Sequence, residues 1–236
     1  MSFVPLIIFG LLPSTIWLLF YLRKDAHPES KPMILKVFSY GMLAAIPAAL
    51  LELGIIEELN KLNLSPSLTT VLYVFVGIAL VEETFKYLVV RGKVLKSAEL
   101  DEPIDVMLYM IISALGFAAL ENVLVLLPFT FPLHFFETFS ISILRFIGAT
   151  LLHALCSGTL GYFLALSFFE TKNSSKLFIT GVLTAVLLHG LYNFSIMRIG
   201  EPLKFIIPFI ILITFSLFVS FAFKNLKKIT GVCKIS

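Results

Sequence analysis

Seven apolar runs dominate the 236-residue chain, at about 4–22, 33–56, 68–90, 105–127, 139–168, 177–197 and 203–223. Roughly 20 apolar residues are enough for a helix to cross the hydrocarbon core of a bilayer. In hydrocarbon every backbone polar group must be satisfied within the protein, so single spans of this kind fold as helices. A transmembrane barrel would show short alternating segments instead. The sequence therefore predicts an all-α, polytopic transmembrane helix bundle of about seven spans, forming one domain over residues 1–236. Composition agrees: 58% of residues are hydrophobic and 14% charged, against about 45–50% and about 25% in soluble domains.

Charge placement predicts orientation. Basic residues collect in cytoplasmic loops. Arg23, Lys24, Lys31 and Lys36 follow the first run, Arg91, Lys93 and Lys96 the third, and Lys172 and Lys176 the fifth; Lys224, Lys227, Lys228 and Lys234 lie in the tail. The opposite side holds Lys61, Arg198 and Lys204, while Lys86 and Arg145 lie within spans. The expectation is an N-terminus outside and a C-terminus in the cytoplasm, in an integral protein of the plasma membrane. The net charge of +3 comes without a block of like charge, so the expected surroundings are the lipid bilayer and no nucleic acid.

The N-terminal run lacks a basic n-region and a small-residue cleavage site, and reads as a retained span rather than a signal peptide. Cys156 and Cys233 lie in a span and in the tail, a placement that does not suggest a structural disulfide. The terminal CKIS fits a prenylation box only formally, with Lys234 where an aliphatic residue is usual. No loop is long enough for a soluble domain; the phenylalanines of PFTFPLHFFET (Phe129, Phe131, Phe135, Phe136) suit the outer interface.

Ionisable residues inside spans then carry the functional reading, because a charge at the bilayer centre costs at least about 2.5 kcal/mol. Run three reads ALVEETFKYLVV, with Glu82, Glu83 and Lys86; run four has GFAALENVL, with Glu121 and Asn122; run five has LLHALCSGTLGY, with His153 and Ser157; run six has LLHGLYNFS, with His189 and Asn193. Residues four apart share a helix face, so each helix presents a narrow polar stripe. Individually, an Asn or Ser is an ordinary interhelical hydrogen bond, and Glu82 with Lys86 an ion pair. Together they are harder to dismiss: one lysine neutralises at most one of three carboxylates, and the others must be protonated, hydrated or bound to a cation.

A divalent metal meets that need. Catalytic zinc keeps three protein ligands, commonly histidine and carboxylate, and an open position for water. Glu121, His153 and His189 make such a set, with Zn2+ the expected ion and Glu82 or Glu83 the base for its water. Adjacent helix residues point about 100° apart, so one of these two glutamates is expected to face the site and the other to pair elsewhere. There is no HExxH pair; ligands from separate helices suit a bundle-core site. His27 and His134 read as solvated loop residues.

The stretches EETFK (Glu82, Glu83, Lys86), GFAALEN (Phe117, Glu121, Asn122), HALCSGTLGY (from His153) and HGLYN (His189, Asn193) occur in order on successive spans. Over residues 70 to 195 the sequence resembles the PrsW family of intramembrane metalloproteases, relatives of the CAAX prenyl endopeptidases and bacterial Abi proteins. CAAX enzymes usually carry an arginine one position after Lys86 and a histidine where Glu121 stands; this sequence follows the PrsW pattern at both, which makes a CAAX-box substrate less expected. PrsW-like chains often have aspartate where Asn193 stands. The resemblance implies peptide-bond hydrolysis in the membrane, on a membrane-anchored protein such as an anti-sigma-factor-like regulator.

On this reading spans three to six, residues 68–197, form the catalytic core. Zinc on Glu121, His153 and His189 activates water, Glu82 or Glu83 takes its proton, Asn193 assists the oxyanion, and Lys86 fixes or tunes a glutamate. Gly116, Gly158, Gly161 and Gly190 permit close helix approach. Two rival classes remain: a proton- or cation-coupled transporter or channel using the buried carboxylates and histidines, and a scaffold that binds membrane partners without cleaving them.

Overall fold

A computed structural model describes residues 4–25, 27–128, 134–169 and 173–229. Among them, seven helical stretches are long and apolar enough to cross a membrane. They are α1 (Val4–Leu22), α2 (Lys31–Lys61), a composite third span (Pro66–Lys93), α5 (Pro103–Leu126), a composite fifth span (Phe135–Phe168), α8 (Ser174–Arg198) and α9 (Leu203–Leu226). No strand occurs among the described residues, and the predicted all-α bundle of seven spans is what the structure shows. Cys233, Lys172, Lys234, Phe129 and Phe131 lie outside the described residues.

Two spans are not the uniform helices that their hydropathy suggests. The third comprises α3 (Pro66–Leu72), a π-helical segment (Tyr73–Leu80) and α4 (Val81–Lys93). The fifth comprises α6 (Phe135–Ile147) and α7 (Ala149–Phe169), separated at Gly148. A side chain at Gly148 would run into the Tyr192 hydroxyl and the Leu144 carbonyl.

The bundle is built around α5, whose most apolar 18-residue window is 94% buried; for α1, α2 and α9 that share is 28% or less. Helix α5 starts at Pro103 behind a capping box, in which the Asp105 carboxylate accepts the backbone N–H groups of Asp101 (3.1 Å) and Glu102 (2.7 Å). It packs against α1, α2, α4 and α7, and α9 closes the bundle against α7 and α8. Lipid tails are as apolar as leucine, so helices associate here through close packing of small residues. Gly41 of α2 lies against the Ser113 backbone and Gly116 of α5 against the Phe38 backbone, where any Cβ would collide. Outward-facing residues such as Leu43, Leu50 and Leu53 remain exposed, as the bilayer requires.

Candidate active site

The four polar stripes meet in the interior. Glu82, Glu83 and Lys86 lie on the first turns of α4, directly after the π-helical segment. Glu121 and Asn122 come from α5, His153 and Ser157 from α7, and His189 from α8. The side chains of Glu82, Glu83, Lys86, His153, Ser157 and His189 are all buried.

Lys86 lies at the centre. Its ammonium, fully buried, donates to Glu82 Oε2 (3.0 Å), Glu83 Oε1 (2.8 Å) and His153 Nδ1 (2.7 Å), and sits 4.7 Å from the centre of the Phe117 ring. Both glutamates therefore face the site, contrary to the expectation that one would turn away. The reason is helical spacing: Lys86 follows Glu83 by three residues and Glu82 by four, so its azimuth falls between theirs and both long side chains reach it.

An ammonium has no acceptor, so His153 Nδ1 accepts from Lys86 and its Nε2–H donates to Glu121 Oε2 (2.8 Å). His189 Nδ1–H donates to Glu83 Oε1 at 3.1 Å, which turns Nε2 inward, 3.7 Å from Glu82 Oε2. The two imidazoles meet edge to face with centroids 5.1 Å apart. Ser157 donates to Glu83 Oε2 at 2.6 Å. Glu83 thus carries partners on both oxygens, while the polar contacts of Glu82 among the described residues are made through Oε2.

Sequence reasoning left Arg145 out of the charge count. Its guanidinium lies 3.0 Å from Glu121 Oε1, and its Nε donates to Asn122 Oδ1. Asn122 also donates to the Gly10 carbonyl (3.2 Å) and Thr150 Oγ1 (3.1 Å), tying α5 to α1 and α7. Three carboxylates therefore face two permanent cations. With neutral imidazoles one negative charge is left over, not two, and a bound cation or a proton has to balance it. The in-span position of Arg145 was the available signal.

Within this site, the donor atoms that come within 4.8 Å of one another belong to Glu82, His153 and His189. Glu121, grouped with the histidines as an expected ligand, meets Arg145 and the far nitrogen of His153, and the carboxylate close to both imidazoles is that of Glu82. One carboxylate oxygen with two imidazole nitrogens is a donor set of catalytic zinc, so the residues fit a metal, with Lys86 occupying two of the same donors. Asn193 is half-buried, one turn along α8 from His189. His27 and His134 pair at the surface with Glu102 and Glu137.

Residues 29–221 match the profile described as PrsW family intramembrane metalloprotease. The chain belongs to the PrsW family. A Protease PrsW of Oceanobacillus iheyensis is 28% identical over 204 residues, covering 86% of this chain and 88% of that one. The Protease PrsW of Geobacillus kaustophilus is 30% identical over 178 residues (75% and 73%), and that of Bacillus subtilis 26% over 193 residues (81% and 82%). No solved structure matches. PrsW membership and seven apolar spans make this an integral membrane protein and an intramembrane protease; nothing favours the transporter reading.

Proposed function

We propose that this PrsW protein hydrolyses peptide bonds of membrane-anchored proteins at the centre formed by Glu82, Glu83, Lys86, His153 and His189. The supporting observation is the approach of Glu82, His153 and His189 donor atoms to within 4.8 Å of one another in a buried site. Zinc is the proposed ion, held by those three side chains. When bound it supplies Lewis-acid activation of water and carbonyl.

The chain's own groups do the rest. Glu82 Oε1, free of hydrogen bonds among the described residues, takes the proton of the attacking water and passes it to the leaving amine. Glu83 holds His189 through Nδ1, which leaves Nε2 directed at the site, the usual role of a carboxylate behind a ligating imidazole. Glu121 does the same for His153 through Nε2. Lys86 keeps the Glu83 charge neutralised, and Asn193 donates its amide to the developing oxyanion. The catalytic core is spans three to six, residues 68–197. The substrate segment must leave its helix before its peptide bonds are exposed; an anti-sigma-factor-like regulator with one span suits that demand. The excess of Lys and Arg in alternate loops supports an N-terminus outside and a C-terminus in the cytoplasm, in the plasma membrane.

The test is metal content of detergent-purified protein. Wild type should hold about one zinc per chain, lost in His153→Ala, His189→Ala and Glu82→Gln and kept in Glu121→Gln. Loss with Glu121→Gln but not Glu82→Gln would return the ligand role to Glu121. No metal in zinc-supplied wild type would leave a glutamate–histidine hydrolase, in which Lys86 keeps its place. Glu82→Ala should abolish cleavage in either case; a variant that still cleaves would sink the assignment.

A further inference from the structure

Glu52 is a carboxylate inside a membrane span that neither the motifs nor the proposed centre uses. It lies on α2, five residues before Glu57, and its neighbours Leu51 and Leu53 are exposed on the lipid face while Glu52 itself is half-buried. The packing of α2 fixes its level. Ala48, one turn before it, packs with Val81 and Phe117, and Ile55, three residues after it, reaches Gly77 of the π-helical segment. Glu52 therefore stands beside residues 77–82, about one turn from Glu82.

No hydrogen bond or ion pair engages the Glu52 carboxylate among the described residues. An unpartnered carboxyl group against lipid tails stays ionised only with water or a polar ligand and otherwise takes up a proton. The structure supplies a place for water and for a ligand. A cavity of about 600 Å³ opens between α2, the start of the third span and the end of α8, its wall mixed, with Ile56, Leu59 and Met197 beside Asn60, Thr70 and Arg198. Arg198 pins α8 to α3 there through Thr70 and the Pro66 carbonyl. Ile56 and Tyr73 belong to the cavity wall, and Glu52 stands one helical turn before Ile56 on the same face of α2, next to the wall but not in it. Asn193 occupies the same side of the centre on α8.

We infer that Glu52 is a substrate-positioning residue: the vestibule between α2, the start of the third span and α8 admits water and the unwound substrate, and the Glu52 carboxylate accepts backbone N–H groups that the substrate frees on leaving its helix. The inference rests on the hydrolytic reading of the centre and adds the side from which substrate arrives. Unwound peptide has unsatisfied N–H donors in a place with little water, and a carboxylate is a strong acceptor for them. The bond is made in the ground state and the transition state alike, so it acts on KM.

The test uses the full chain in proteoliposomes, with Cys156→Ala and Cys233→Ser as background. Glu52→Cys, Tyr73→Cys and Leu53→Cys are treated with a charged, water-soluble thiosulfonate. Only a hydrated thiolate reacts, so the first two should label at least about tenfold faster than the third. Equal rates at 52 and 53 overturn the vestibule. Cleavage of a fluorogenic single-span peptide is then followed. Glu52→Leu should raise KM about tenfold with kcat within about twofold, and Glu52→Gln, which keeps an acceptor oxygen, should recover most of the loss. A loss in kcat alone, or no recovery with Gln, overturns the positioning role. Zinc content reads the centre separately: a protein without metal that still shows the Glu52 labelling and KM pattern refutes the zinc assignment and leaves this inference standing.

Discussion

Replacing Lys86 with methionine separates two things its ammonium does. It offsets one of the two charges of Glu82 and Glu83, and it occupies Glu82 Oε2 and His153 Nδ1 at 3.0 and 2.7 Å, two of the three atoms proposed to hold zinc. Removing one partner of a buried ion pair costs about 3–5 kcal/mol, a large part of a typical stability of about 5–15 kcal/mol. Without metal, Lys86→Met should therefore melt well below wild type. With zinc the order changes. Two unit charges about 4 Å apart interact by about 4 kcal/mol at an effective dielectric of about 20, and a divalent ion doubles that figure. Relief of even a third of this repulsion tightens zinc binding by about 100-fold. The assay is competition against a calibrated zinc chelator in detergent, with melting followed by the fluorescence of the single tryptophan, Trp17. Lys86→Met should gain affinity about 100-fold or more, and zinc should raise its melting temperature more than that of wild type. Affinity within a few-fold of wild type would refute the reasoning, because it would mean that lysine and ion do not share donors.

Arg145→Leu should lower melting temperature and cleavage together, since Glu121 loses its cation; adding Glu121→Gln should restore most of the stability, and a strictly additive double variant would show that the pair is not coupled. Gly116→Leu should destabilise the protein by at least about 1–3 kcal/mol, because its Cβ meets the Phe38 backbone rather than a movable side chain; an unchanged melting curve would contradict the α2–α5 contact. Glu29 lies in the connection before α2, where burial pushes its carboxyl above the ordinary range although Tyr109 donates to it at 2.6 Å. The folded state then holds its proton more tightly than the unfolded state, so this stabilisation is complete at acid pH, below the unfolded value. It is lost as pH rises from the ordinary carboxylate range through the raised one. Glu29→Gln should flatten that decline, and an identical pH–stability profile would count against it.

The spans were legible because hydropathy reports burial in lipid directly, and α1 runs over the same residues, Val4–Leu22, as its apolar run. The polar stripes were legible because charge in hydrocarbon is too costly to be incidental. What the sequence could not give was partnership. Arg145 reaches Glu121 across 24 positions through the packing of α6 on α5 and α7, and nothing local announces it. The spacing rule applied to Glu82 and Glu83 considered their mutual angle and ignored that Lys86 bisects it. Glu52 lies inside the second run as well, but no polar residue stands three or four positions from it to mark a stripe.

The two irregular spans explain how the centre is assembled at all. Non-helical or widened backbone is tolerated at membrane depth only where protein or water covers it, and π-helical turns occur frequently at functional sites. Here the π-helical segment ends at Leu80, just before Glu82, and the Gly148 break falls between Arg145 and His153. A regular third span would carry the register of residues 66–72 straight into α4. The eight π-helical residues, with more residues per turn, rotate α4 relative to α3, and Glu82, Glu83 and Lys86 face α7 and α8 as a result. At Gly148 the helix is interrupted, and Arg145 before the break and His153 after it both meet Glu121, His153 reaching Lys86 through its other nitrogen. The Tyr192 hydroxyl stands over that break, fixing it from α8, the helix that carries His189. The departures from ideal helix thus lie within a turn or two of the residues they aim, and the regular helices α5 and α8 supply the frame against which they are aimed.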